Sequence, residues 1–240
     1  MARIFITGSS DGLGQLAAKK LIEMGHQVVL HARNAVRADY AMHNVPGAEN
    51  ILTADLSDME ETKELANEVN DLGSFDAIIH NAGVYQESGR IILSVNTLAP
   101  YILTCLIKKP KRLIYLSSGM HLYGNTDLNN LKNGKVSYSD SKFHDLLLAK
   151  TVARKWPEVF SNAVDPGWVP TKMGGAGAPD DLQKGFETQV WLATSNEAKL
   201  SGCYFYHKKE SRYLKAADSE KLQDEFIDLC KQITGIGFPL

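Results

Sequence analysis

The chain has 240 residues, 44% apolar and 22% charged, with 26 Lys+Arg against 28 Asp+Glu and a formal net charge of -2. That balance excludes disordered and fibrous classes and gives a core large enough to stand without metal or disulfide support. No basic block marks a dedicated nucleic-acid binder, and Cys105, Cys203 and Cys230 lack CxxC spacing, so neither structural zinc nor a disulfide framework is expected.

Short β-branched runs alternate with helical periodicity along most of the chain, the pattern of a parallel sheet with helices on both faces. The expectation is a single α/β domain over residues 1–240 with a doubly wound parallel sheet of seven strands, at 3–7, 27–32, 50–54, 77–80, 112–117, 160–164 and 203–206. The first residues run straight into a glycine motif with no apolar region and cleavage site, so no signal peptide and a cytoplasmic location are expected.

After the first strand comes Thr7-Gly8-Ser9-Ser10-Asp11-Gly12-Leu13-Gly14, followed by residues at helical spacing. Glycines in a strand-to-helix turn let backbone approach a pyrophosphate, whose charge the following helix N-terminus favours. The spacing G-x-x-x-G-x-G differs from the usual dinucleotide fingerprint, and a tight turn with no ligand is the alternative. The second strand ends His31-Ala32-Arg33. An acidic residue there would accept a ribose 2′-hydroxyl. With none present, Arg33 is suited to the 2′-phosphate of NADP, so NAD is the less favoured cofactor; a solvated strand-end arginine is the other reading. Arg37 is a second candidate phosphate partner.

Ser57-Asp58-Met59-Glu60 reads as a capping box for a helix that ends at Gly73. Asn81-Ala82-Gly83 closes the fourth strand, and Asn96 lies in an uncharged run, 91–107. Asn96, Pro100 and several hydroxyls leave that run short of the roughly 20 apolar residues a membrane span needs, so it reads as a buried helix. The fifth strand delivers Ser117-Ser118-Gly119 at its C-terminal edge, where ligands bind in open α/β sheets. Tyr138 and Lys142 are four apart and share one helix face. A tyrosine of pKa about 10 is hardly ionised at neutral pH, and a neighbouring ammonium favours its phenolate, which suits it to general acid/base work. Taken singly, such a pair is commonly an ordinary helix surface. The stretch 174–181, rich in glycine and alanine, reads as a lid or a plain surface connection. Helical spacing after Asp218 or Ser219 gives a last helix stopped by Gly235.

Together and in this order, these motifs resemble the short-chain dehydrogenase/reductase family over nearly the whole chain. The resemblance implies a Rossmann-like fold and assigns the cofactor site to Gly8, Ser10, Asp11, Gly12, Leu13, Gly14, His31, Ala32, Arg33, Asp55, Leu56, Asn81, Ala82 and Gly83, and further to Tyr138, Lys142, Pro166, Gly167, Trp168, Val169 and Thr171. It implies hydride transfer between NADP(H) and a small-molecule carbonyl or alcohol. Tyr138 would move the proton, Lys142 would hold the nicotinamide ribose and lower the tyrosine pKa, Ser118 would orient the substrate oxygen, and Asn96 would hold a water. The 20 positions between Ser118 and Tyr138 and the Gly202-Cys203-Tyr204-Phe205 segment resemble the retinol-dehydrogenase-like branch. Three features depart from it: the segments 34–50 and 85–95 are short, Asp165 stands where histidine is common, and Asp11 stands where NADP users often carry a basic residue.

His121, Tyr123, Trp168 and Met173 are candidate substrate contacts, with packing or surface positions as the alternative. No metal site, nucleic-acid partner or membrane is expected. Family members commonly pair through the helices carrying Asn96 and Tyr138, and the apolar run 143–149 offers surface for a homodimer or homotetramer. A non-catalytic NADP sensor is the competing function, but it would be expected to lose one of the four catalytic residues. An epimerase or dehydratase would need a larger substrate domain.

Overall fold

The computed structural model describes residues 1–239. Its strands are β1 (Arg3–Ile6), β2 (Gln27–Ala32), β3 (Asn50–Thr53), β4 (Ala77–His80), β5 (Arg112–Leu116), β6 (Phe160–Asp165), β7 (Tyr204–Tyr206) and β8 (Lys209–Glu210). They form one sheet in the order β3-β2-β1-β4-β5-β6-β7-β8, parallel throughout except for the β7–β8 pair. The chain starts in the middle, winds outward one way and returns to wind the other. The switch point therefore lies between β1 and β4, where Ile4 faces both Val28 and Ala77.

Alternation along each strand builds two cores. Phe5, Val29 and Ile78 face α3 (Met59–Asp71), α5 (Ala99–Leu106), α7 (Tyr138–Lys155) and α9 (Glu220–Thr234). Ile4, Ile6, Val28, Leu30 and Ile79 face α1 (Gly12–Glu23), α2 (Ala35–Asn44) and α8 (Leu182–Thr194). Strands covered on both faces need apolar residues at nearly every position, as β1 and β4 show.

Two expectations are corrected, and a third, the buried helix over 91–107, holds with added detail. The sheet has eight strands, because the chain turns back after β7 through His207 and Lys208, at φ 48° and 63°. The α3 cap is Asp58, whose carboxylate accepts from Glu60 N at 2.7 Å and Glu61 N at 3.2 Å. Ser57 is instead bound to Asp55. The uncharged run is one helical stretch in three parts, α4 (Gly89–Ile92), a π-helical segment (Leu93–Leu98) and α5. By length and composition Gly89–Leu106 passes as a membrane span, but 67% of it is buried inside this fold, so core packing accounts for its apolar character.

Candidate active site

A cleft of about 510 Å³ opens along the C-terminal ends of β1, β2, β4, β5 and β6. Its floor is the Thr7–Gly14 turn locked against Asn81-Ala82-Gly83. The Asn81 amide donates to the carbonyls of Thr7 at 2.9 Å and Gly8 at 3.0 Å. In return the Thr7 hydroxyl accepts from the backbone N–H of Asn81 and Ala82, each at 3.0 Å. The closeness of these two segments is why glycine is needed. A Cβ on Gly8, at φ +62°, would stand 2.8 Å from Ala82 Cα, and one on Gly14 would stand 2.4 Å from Asn81 Nδ2. The result is a backbone cradle at the start of α1, suited to a pyrophosphate.

His31 lies behind this turn. Its Nδ1 accepts from Gly8 N at 3.0 Å and its Nε2 sits 3.0 Å from the Ala54 carbonyl, which fixes a neutral ring with the proton on Nε2. Burial holds its pKa down at about 4. At the end nearest β2 and β3 the cleft is lined by Arg33, Arg37, Asp55, Leu56 and Ser57; Ala32 is buried behind it. Arg37 donates through Nε to the Ser10 hydroxyl at 3.3 Å and through Nη2 to Asp11 at 3.2 Å. Asp11 also caps α1 and takes Lys172 at 2.5 Å. Burial pushes the Asp11 carboxyl up, but Lys172 and the Gly12 N–H outweigh it and hold it below the usual range. Asp55 is likewise held low, first by the Ser57 N–H.

At the other end Tyr138 opens α7, capped by Ser137 in a capping box with Asp140. Its ring packs edge-on against Tyr85 at 4.9 Å, and the Ser118 hydroxyl lies beside its phenol. Lys142 is one turn on, with Nζ 5.5 Å from the Tyr138 ring centroid. Burial pushes the Tyr138 phenol above its ordinary range, and the pull of Lys142 does not offset it. The sequence expectation that Lys142 lowers this pKa is thus right in sign for the pair and outweighed in sum. The serine pair divides its work: buried Ser117 lines the cleft and donates to the Lys142 carbonyl at 2.7 Å, while the Ser118 hydroxyl accepts from Met120 N at 3.2 Å and caps the short helical turn after β5. Asn96 sits in the π-helical segment, and such turns recur at functional sites. Its amide donates to Val84 O and Ser141 Oγ, each at 3.0 Å, and accepts from Val84 N at 2.8 Å. It thereby ties the loop after β4 to α7.

The loop after β6 forms the far wall. Pro166, Thr171, Lys172 and Met173 line the cleft, while Val169 is buried against Gly185 of α8. Gly167 turns the chain at φ +82°, with its N–H on Asp165 at 2.9 Å. Trp168 is 60% exposed and donates through Nε1 to the Gly174 carbonyl at 2.8 Å, so its ring is committed to the loop.

Among the proposed substrate contacts, only Met173 lines the cleft. Tyr123 is 82% exposed outside it. His121 is fully buried, donating through Nδ1 to Ser118 O at 2.7 Å and accepting from Leu214 N at 3.2 Å through Nε2. It braces the backbone that carries Ser118. Sequence reasoning missed Val84, Glu87, Ile91 and Val95 on the cleft wall after β4. Their position after Asn81-Ala82-Gly83 and before Asn96 was the available signal.

The short chain dehydrogenase family model matches residues 2–106. An oxidoreductase of Emericella nidulans is 45% identical over 254 residues, covering 100% of this chain and 99% of its own. Short-chain dehydrogenase chyC of Penicillium rubens is 43% identical and covers 100% of both chains. More distantly, human retinol dehydrogenase 14 is 26% identical, covering 97% of this chain and 86% of its own. Among solved structures, a Mycobacterium paratuberculosis protein superposes with a TM-score of 0.85 at 22% identity, covering 100% of this chain and 96% of its own. The NADP complex of Pseudomonas aeruginosa RhlG superposes with a TM-score of 0.71 at 20% identity, covering 85% and 93%. Full-length identity above 40% to oxidoreductases, on this fold and with this cleft, establishes that the chain belongs to the short-chain dehydrogenase/reductase family.

Proposed function

We propose that the chain is an NADPH-dependent reductase that converts the carbonyl of a small apolar molecule to an alcohol, with Tyr138 as the general acid. The observation that carries this reading is that Tyr138 and Lys142 line one end of a cleft, with the Ser118 hydroxyl beside the phenol and buried Asn96 bracing the adjoining loop, while a glycine cradle flanked by Arg33 and Arg37 lines the other end. NADPH, held by the glycine cradle with Arg33 and Arg37, would supply the hydride. Ser118 and Tyr138 aim their hydroxyls at the substrate oxygen, so that the charge developing there meets donors already in place. Tyr138 then gives up its proton, and Lys142 stabilises the phenolate left behind. Asn96 keeps the loop after β4 against α7.

The preference for NADP over NAD rests on charge. No acidic residue replaces buried Ala32, and two guanidinium groups line the adenosine end. Substrate class rests on the lining near Tyr138: Val84, Ile91, Val95 and Met173 are apolar, and Glu87 is the acidic residue among them.

The test is the loss of NADPH absorbance with a panel of aldehydes, ketones and quinones. Tyr138→Phe should retain NADPH binding and lose turnover by roughly 10²–10⁴-fold, the range for a general acid. An NADPH-binding protein that reduces no member of the panel would favour the sensor reading.

A further inference from the structure

Asp11 puts a carboxylate into the turn read as a phosphate cradle, where its charge opposes an anionic ligand, and the mechanism above gives it no role. Its two oxygens have separate partners. Oδ1 accepts from Gly12 N at 2.8 Å and caps α1. Oδ2 accepts from two cations that come from different walls of the cleft, Arg37 Nη2 of α2 at 3.2 Å and Lys172 Nζ of the loop after β6 at 2.5 Å. Lys172 thereby stands at the start of α1 although it is 161 positions from Asp11.

The loop after β6 is braced to deliver it there. Its base is closed by two bonds, from Trp168 N to Asp180 Oδ2 at 2.6 Å and from Asp180 N to Trp168 O at 3.0 Å. Within it, Gly175 N donates to Thr171 O at 2.8 Å and Gly174 N to Thr171 Oγ1 at 3.2 Å. The methyl of Thr171 rests on the turn, since a Cβ on Gly12 would lie 3.8 Å from it. The Lys172 side chain is 76% exposed. A flexible lysine stem gives little direction to its own charge, so it is Asp11 that aims this ammonium.

The charge balance shows what the lysine adds. The charged groups lining this part of the cleft are Arg33, Arg37 and Lys172 against Asp11 and Asp55. Without Lys172 the two signs cancel, and with it the lining is net positive, as an anionic ligand requires. Resting on the dinucleotide cleft of the reading above, we propose that Lys172 is a cofactor-binding residue: Asp11 presents its ammonium over the glycine turn, where it bonds a phosphate of the dinucleotide from the wall opposite the cradle. Thr171 and Met173 flank it and also line the cleft, so the same contact seats the far wall.

NADPH and NADH binding to the full-length protein can be titrated through the fluorescence of the reduced nicotinamide, which needs no turnover. Lys172→Ala should weaken NADPH binding about tenfold at low salt, the low end for a hydrogen bond to a charged group. The loss should shrink at high salt, where exposed charges are screened. Weakening with both cofactors assigns the contact to the shared pyrophosphate, and weakening with NADPH alone assigns it to the 2′-phosphate; either supports the proposal. Lys172→Arg should keep the wild-type affinity. In Asp11→Asn, which retains an oxygen to cap α1, Lys172→Ala should still weaken binding. If it does not, the lysine only neutralises Asp11 and the proposal fails. It fails too if Lys172→Ala moves neither affinity by more than about twofold, the effect of an exposed ion pair that contributes little. A loss that high salt leaves unchanged would also overturn it, by pointing to altered loop packing. A wild-type protein that binds neither cofactor overturns this proposal and the reductase reading together. One that binds NADPH but reduces nothing sinks the reductase reading alone and leaves the titration to decide the role of Lys172.

Discussion

Histidines carry much of the residue-scale design. His121 was legible only as a polar residue after the serine pair, because nothing in its spacing says that Leu214, 93 positions on, will occupy its second nitrogen. Replacing it by leucine leaves the part-buried Leu214 N–H without a partner and the Ser118 carbonyl with only its bond from His121 N at 3.0 Å, at about 1–3 kcal/mol in all. His121→Leu should therefore unfold at lower denaturant and lose kcat more than KM as Ser118 shifts; a change below about 0.5 kcal/mol with normal kcat would contradict the bracing role. His31, His80 and His144 are buried and neutral, with pKa values of about 4, 3 and 4 set by burial. In the unfolded chain each titrates near 6.5. Between about pH 6.5 and 4 the unfolded state therefore binds more protons, and folding stability falls as pH falls through that window. The contribution of each group by pH 4 is on the order of 3 kcal/mol. Denaturant melts at pH 7, 5.5 and 4.5 should show a progressive loss, and a flat profile would mean the rings are reached by water or protonated in the fold.

Elements were legible where local chemistry decides them, and less so where partners do. The seven parallel strands were readable because burial on both faces demands uninterrupted apolar runs such as Ala77–His80. The last hairpin was not, since His207 and Lys208 are poor candidates for positive φ and are held there by context, including the Lys208 N–H bond to Thr188 at 3.0 Å. At α3 the sequence offered Ser57 and Asp58 side by side. Asp55 decides between them by taking the Ser57 N–H and hydroxyl at 2.9 and 2.8 Å, which leaves Asp58 to cap. The same arrangement places Asp55 and Ser57 on the cleft wall. The Tyr138 end of the candidate site was readable because Tyr138 and Lys142 need only helical periodicity to share a face. Asp145 obeys the same rule, but helical spacing alone gives no sign that its carboxylate is buried against Lys142.

At the scale of the molecule, the chain covers the surface on which association was expected. The run 143–149 is buried within the chain, and α9 lies across α7 with Phe226 5.3 Å from His144. Arg154 bonds Gln223 at 2.8 Å and Asp224 at 2.5 Å. The segment after α9 extends this cover. Tyr101 of α5 donates to Ile236 O at 2.7 Å, and Trp156, just past α7, donates to Pro239 O at 2.9 Å while its ring packs at a tilt against Phe238 at 4.9 Å. A second copy docking through α5 and α7 would have to displace these contacts, and the apolar area recovered would only replace what was lost. The protein is therefore expected to run as a monomer of 26.5 kDa by light scattering at micromolar concentration. Trp156→Ala with Tyr101→Phe should loosen the final segment, uncover apolar surface on α5 and α7, and yield a concentration-dependent dimer. A wild-type dimer at the same concentration would show that association uses a different face and that α9 is not what limits it.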